Sequence, residues 1–242
     1  MTVDGGTSDA RRPARLLHTS DVHLAVPGGR EERAFLAALE RAEALEVDAV
    51  LIAGDLFDHA RVADEVLELA ADALGQYGRP VVLMPGNHDV LDARSVHGRF
   101  DVEVRCPNVQ FLDDPDGSVV QIPGTDVIVW GRGMVEHEPG FRPLAGIPER
   151  RADAWCIAAA HGLLVEDERS GRSSTILPAD LDLDWDYIAL GHVHEHRIVH
   201  GTRTVACYPG ATAASKGGVP GVVVVDLRPG RPVELEWTAL PA

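Results

Sequence analysis

Five short groups of side chains have the make-up of a metal-dependent hydrolytic site. They are Asp21-x-His23, Asp55 with Asp58, Asn87-His88-Asp89, His161, and His192-x-His194. Asp, Asn and His offer oxygen and nitrogen donors, and no cysteine falls in any group. That donor set suits manganese, iron or zinc in a five- or six-coordinate catalytic centre rather than a thiolate-bound structural zinc. Each group alone is common, and a lone G-N-H-D is ordinarily a turn. The joint order carries the information, because every group ends a run of apolar residues.

Those runs are the elements that must position the groups. RLLH, DAVLIAGD, PVVLMPGNHD, AWCIAAAHG and DYIALGHVH each read as a strand that stops at polar residues. Helices are predicted between the first three. One covers roughly Glu31–Glu46, with Phe35, Leu36, Leu39, Ala42 and Leu45 on one stripe; the other covers 62–76, with Val62, Val66, Leu69 and Leu74 inward. Unbroken apolar strands suit a parallel sheet covered on both faces. The second half is strand-rich, with hairpins turning at Gly201 and at Pro229-Gly230, and predicts a second sheet packed on the first. Sites in such folds lie at the carboxyl ends of strands. Residues 132–151 and 163–184 read as long loops, and His18, inside an apolar strand, reads as a core histidine.

Of the 242 residues, 45% are hydrophobic and 25% charged, which sets a globular domain. The reading is one domain over 14–242 after a disordered tail over 1–13. The net charge of −16 excludes a broad cationic face for duplex nucleic acid. An anionic substrate would need its positive charge supplied locally, as metal ions do. Cys106, Cys156 and Cys207 form no C-x-x-C, which predicts a reduced, cytoplasmic location and cysteines packed as small hydrophobes. No apolar run is long enough for a membrane span, and the first residues carry no secretory signal.

The series DVHL, GDLFD, GNHD, HG and GHVH resembles the calcineurin-like metallophosphoesterases. The longer runs LLHTSDVHL, LIAGDLFDHARV, PVVLMPGNHD and DYIALGHVHEHRIV are similar to those of SbcD-type nuclease subunits, across about residues 15–227. The resemblance implies a four-layer αββα sandwich of two mixed β-sheets flanked by helices. It implies two divalent metals, manganese first, with iron or zinc as alternatives. Asp21, His23, Asp55 and His194 would hold one metal; Asp55, Asn87, His161 and His192 would hold the other, with Asp55 bridging. His88 would face the phosphate and Asp89 would orient its ring.

The function implied is phosphoester hydrolysis, of phosphodiesters first, on a small phosphoester or nucleotide. One alternative is a nuclease acting on nucleic acid with an ATPase partner. Another is a non-catalytic scaffold, which the filled ligand positions disfavour. Two departures from the SbcD pattern matter. Only 35 residues follow Cys207, leaving no room for the further domain of those nucleases. Where some relatives carry a histidine after GDLF, this chain has Asp58, with His59 next. Asp58 is either a support behind the ligands or a substrate contact, His59 is a candidate substrate contact, and Arg132, which follows the strand DVIVWG, is a candidate to reach substrate at the site mouth. Arg169 and Arg172 are candidates for steering an anion, and Ser215 and Lys216 for a lip.

Overall fold

The structure is a computed structural model, and it describes residues 11–167, 172–201, 203–213 and 218–241. In chain order the first half carries β1 (Ala14–Thr19), α1 (Arg30–Ala44), β2 (Ala49–Ala53), α2 (Asp64–Tyr77) and β3 (Val81–Met84). A short α3 (Val102–Arg105) and β4 (Val109–Phe111) follow. Then come β5 (Ser118–Gln121), β6 (Val127–Gly131), β7 (Trp155–His161), β8 (Leu163–Leu164), β9 (Thr175–Ile176) and β10 (Tyr187–Gly191). The last strands are β11 (Arg197–His200), β12 (Val205–Tyr208), β13 (Gly221–Leu227) and β14 (Glu234–Ala239).

Two six-stranded mixed sheets result. The first runs β14-β13-β1-β2-β3-β4, and β1 to β4 are parallel. The second runs β11-β12-β10-β7-β6-β5, and β6, β7, β10 and β12 are parallel. The chain is thus α/β, as the sequence pattern requires. Both faces of the central strands are buried, and the period of two shows within one strand. Val50 and Ile52 of β2 face the helices, whereas Ala49 and Leu51 face the second sheet. That double burial is why these strands read as continuous apolar runs.

Helix α1 buries Ala34, Phe35, Ala38, Leu39 and Ala42 against the first sheet. Leu36, expected on that stripe, is exposed, because it sits about 100° round the helix from Phe35. The outer face of the second sheet differs from the first. Among the described residues it is covered by Leu144, Leu181 and Trp185, from irregular segments and a 3-10 turn at Pro178–Leu181, rather than by α-helices. Part of the expected loop 163–184 is therefore ordered wall, and β8 and β9 pair within it. Arg11 and Arg12, which the sequence reading places in the tail, are tied down. Arg11 stacks over Trp155 and pairs with Asp186 at 3.2 Å, and Arg12 pairs with Asp126 at 2.9 Å. Residues 1–10 of that tail lie outside the described residues. All three cysteines are buried and unpaired.

His18 is a core histidine, as its apolar strand predicts. It is fully buried, with Nδ1 2.8 Å from the Tyr187 hydroxyl, and burial pushes its pKa down to about 3. An unfolded histidine titrates near 6.5. The neutral ring is therefore no liability above pH 6.5, and stability is lost as pH falls from there toward 3. Between pH 7 and 5 the metal-free protein should lose about 2 kcal/mol from this group. Urea unfolding of His18→Gln over the same range should show a correspondingly flatter dependence. An unchanged slope would assign the acid sensitivity elsewhere.

Candidate metal centre

The carboxyl ends of the parallel strands meet at one edge of the sandwich, and the loops there are stitched together. The amides of Asp21, Val22, His23 and Leu24 donate to the carbonyls of Gly54, Asp55, Asp55 and Leu56 at 2.9–3.1 Å. This pairing forces tight reversals. Six non-glycine described residues have positive φ, and four are Asp21 (52°), His23 (55°), Asp55 (56°) and His192 (95°). Each such residue carries a backbone cost of order 1–3 kcal/mol, sustained only because the surroundings fix it. Two glycines make room for the carboxylate and imidazole between the loops. A Cβ on Gly86 would sit 2.1 Å from Asp55 Oδ1, and one on Gly54 would sit 2.2 Å from His161 Nδ1.

Asp21 and Asp55 are each 1% exposed, and imidazoles surround them. His194 Nε2 lies 3.4 Å from Asp21 Oδ1, and His161 Nε2 lies 3.3 Å from Asp55 Oδ2. His23 Nε2 stands between the two carboxylates, 3.9 Å from each and 3.2 Å from His194 Nε2. Asn87 Oδ1 sits 3.0 Å from His161 Nε2 and 2.7 Å from His192 Nδ1. His161 is fixed from behind by the Ala53 carbonyl, 2.9 Å from Nδ1, which leaves Nε2 for the cluster. All seven candidate metal ligands are thus brought to one place.

The donors fit a bound cation. Asp21 Oδ1 is buried and makes no hydrogen bond, and the donor atoms of Asp21, His23 and His194, and of Asp21, Asp55 and His161, lie within 4.8 Å of one another. A further group, His23, Asp58 and His88, shares His23 but is more open. In the cation-free protein, protons take the place of positive charge. Burial opposes charging His161, but the Asp55 carboxylate outweighs it and lifts the ring to about 10. The contact with Asp21 likewise raises His194. Burial opposes ionising Asp21, yet His194 and the charge of His161 hold its carboxyl below the usual range. Burial, and then the charge of His161, push His192 down to about 4.

Other site candidates are placed differently. The His88 ring is half-exposed at the rim, against His23, with Nδ1 2.7 Å from the Asp58 carbonyl; its amide donates to Asp55 Oδ1 at 2.8 Å. Asp89 does not orient that ring. Its buried carboxylate accepts from the amides of Gly86 and Phe57, so it braces the two loops that carry Asp55 and Asn87. Asp58 supports from the outside, with Oδ1 3.2 Å from His23 Nδ1. His59 turns away and accepts from the Arg61 amide. Arg132 is spent on its own loop, donating to the carbonyls of Pro115 and Arg142 and lying over Phe141, so it is not a substrate contact. Arg172 is exposed shortly before β9, and Arg169, Ser215 and Lys216 lie outside the described residues.

Two residues escaped the sequence reading. His97 is buried between Phe57 and Phe111, with Nε2 3.5 Å from Asp89 Oδ2. His137, in the loop 132–151, sets its ring 5.9 Å from that of His192. The only signal for His137 was a histidine in a loop that follows a site-edge strand.

The family model for calcineurin-like phosphoesterases matches residues 14–196. The chain belongs to that family. The family is metal-dependent, in keeping with the donor set. The chain is 27% identical to the SbcD component of the nuclease SbcCD of Bacillus subtilis, across 92% of this chain and 68% of that one. It is 30% identical to the DNA double-strand break repair protein Mre11 of Aeropyrum pernix, across 81% of this chain and 53% of that one. It therefore spans about half to two thirds of the length of these relatives. The solved structure of TT1561 from Thermus thermophilus has a fold similar to this one, at a TM-score of 0.64 and 15% identity, covering 95% of this chain and all of that one. No described helix is long and apolar enough to cross a membrane.

The stored protons make a measurable signature. Imidazole binds a cation only when neutral at the ligating nitrogen. Loading Mn²⁺ at pH 7 should release at least one proton per chain, that of His161, and affinity should climb as pH rises toward 10. Calorimetry in two buffers of different ionisation enthalpy measures the release directly. Binding without proton release would remove His161 from the set.

Proposed function

We propose that the chain is a dinuclear-metal phosphodiesterase formed by a single domain over 14–242. The observation that supports this best is the position of Asp55 Oδ2, 3.3 Å from His161 Nε2 on one side and 3.9 Å from His23 Nε2 on the other, which lets one carboxylate reach both donor groups. Asp21, His23, Asp55 and His194 would hold one cation and Asp55, Asn87, His161 and His192 the other, with manganese the first choice. Two bound cations supply Lewis-acid polarisation of the phosphoryl oxygens and an activated water. The chain's own residues do the rest. Asp55, buried and gripped by the His88 amide, fixes the spacing of the two half-sites. Asp89 holds the two loops in register. His88, at the open rim and steadied by the Asp58 carbonyl, is placed to give a proton to the departing oxygen.

A diester is favoured over a monoester on two grounds. The two curated relatives are named as a nuclease component and a DNA repair protein, and DNA is a phosphodiester. A diester also carries one charge where a monoester can carry two, so a chain of net charge −16 repels it less. Those names favour a nuclease as the second reading, and the resemblance to SbcD-type subunits implies an ATPase partner for it. The acidic balance argues that the chain alone does not grip duplex DNA.

The deciding experiment compares kcat/KM, in Mn²⁺ at fixed ionic strength, for a diester and a monoester with the same leaving group. A monoester preference of tenfold or more, about 1.4 kcal/mol in the barrier, overturns the diester reading. Elemental analysis should approach two Mn per chain, and Asp55→Asn should lose both rather than one. His88→Ala should keep its metals and lose roughly 10²–10⁴ in turnover. That loss should shrink for a good leaving group such as p-nitrophenolate. An equal loss with all leaving groups would make His88 an electrostatic contact instead of a proton donor.

A further inference from the structure

The loop 132–151 has no regular structure, yet it is held at many points. At its root Gly133 N–H donates to the Asp114 carbonyl and the Met134 carbonyl accepts from Leu91 N–H, both at 2.8 Å. Leu91 lies two residues beyond Asp89, so the root is pinned to the strand-end segment that carries Asn87 and His88. Met134 is fully buried. Further along, Arg132 donates to the carbonyls of Pro115 and Arg142, and Arg142 donates to that of Pro139 at 2.8 Å. Two guanidiniums thus spend their hydrogen bonds on backbone oxygens of the loop and its neighbour. Irregular backbone costs entropy to order, and this much anchoring fixes what the loop carries.

What it carries to the cluster is His137. Its ring meets that of His192 nearly edge-on at 5.9 Å, and His192 in turn meets His161 at 5.2 Å. His88 flanks the other half of the cluster, at His23. The histidines of the cluster have ring nitrogens already engaged: His161 through both, His192 through Nδ1, His88 through Nδ1 and His23 through Nε2. His137 is exposed, and neither of its ring nitrogens has a hydrogen-bond partner among the described residues.

We propose that His137 is a substrate-binding residue that donates an N–H to a non-bridging phosphoryl oxygen on the Asn87–His161–His192 side of the cluster. This rests on the phosphoesterase reading above and adds a contact from the chain itself, opposite His88. The loop 132–151 is then one wall of the phosphate site. A neutral donor suits the single negative charge of a diester, whereas a dianionic monoester would call for a guanidinium, and Arg132 is committed elsewhere.

The test uses His137→Ala, His137→Asn and His137→Gln in the full chain. Mn²⁺ binding is followed by calorimetry, inorganic phosphate binding to the Mn²⁺-loaded protein by competition, and hydrolysis with bis-p-nitrophenyl phosphate. His137→Ala should still take up the full complement of Mn²⁺. It should weaken phosphate binding and lower kcat/KM about tenfold or more, the scale of a hydrogen bond to a charged acceptor. His137→Asn or His137→Gln, which keep a neutral N–H, should recover most of that loss. Failure of one Mn²⁺ to bind to His137→Ala would make His137 a ligand and overturn the proposal. So would unchanged phosphate affinity, or a loss that neither amide recovers. If the wild-type chain hydrolyses no phosphoester, the phosphodiesterase reading falls, and the phosphate-binding arm still decides the role of His137.

Discussion

Two carboxylates buried side by side are the constraint around which this molecule is arranged. Asp21 and Asp55 are almost without solvent, and an ionised carboxylate in that position is tolerable only if opposite charge is supplied within a few ångströms. Four imidazoles and one carboxamide supply the surroundings, and in the cation-free state the carboxylates raise the proton affinity of two of those imidazoles, His161 and His194. The left-handed backbone at four site residues, the glycines with no room for a Cβ and the buried brace at Asp89 all serve to keep these groups close. Remove the need for two adjacent negative charges and none of these costly features has a reason to exist.

The sandwich is the frame that makes the arrangement stiff. Asp21, Asp55 and Asn87 hang from the first sheet, and His161, His192 and His194 from the second. The layer of apolar side chains between the sheets, from Leu16 and Leu51 on one side to Ile157 and Ala189 on the other, fixes the distance between the two donor sets. A close-packed interior resists compression and shear, so side chains from separate sheets can be held to hydrogen-bond tolerance. The cross-sheet contacts at the edge, such as the His192 amide on Asp21 Oδ2 at 3.0 Å, are the visible result.

The donors were legible because each closes an apolar strand, and a strand's end is defined by composition over several residues. Helices α1 and α2 were legible for the same reason, through a 3.6-residue stripe, although Leu36 shows that a stripe inferred without its neighbours is drawn one residue too wide. What the sequence does not carry is the direction of a side chain in a loop. Asp89 next to His88 invited the inference that one orients the other. The reversal at Gly86 instead turns the carboxylate inward to two backbone amides. Arg132 follows a site-edge strand, yet nearby carbonyls claim it. His97 and His137 were invisible because their partners are 8 and 55 residues away along the chain, with no periodic pattern to announce them.

The split of donors between sheets also has a consequence in time. During synthesis the amino-terminal half emerges with Asp21, His23, Asp55 and Asn87, a set rich in oxygen and poor in imidazole. His161, His192 and His194 follow only after most of the second sheet has been made. Of the seven candidate ligands, a nascent chain halted before them carries two carboxylates, one carboxamide and one ring. Strong capture of a cation would wait until the sheets have docked, so a bound cation would report that the chain has finished folding.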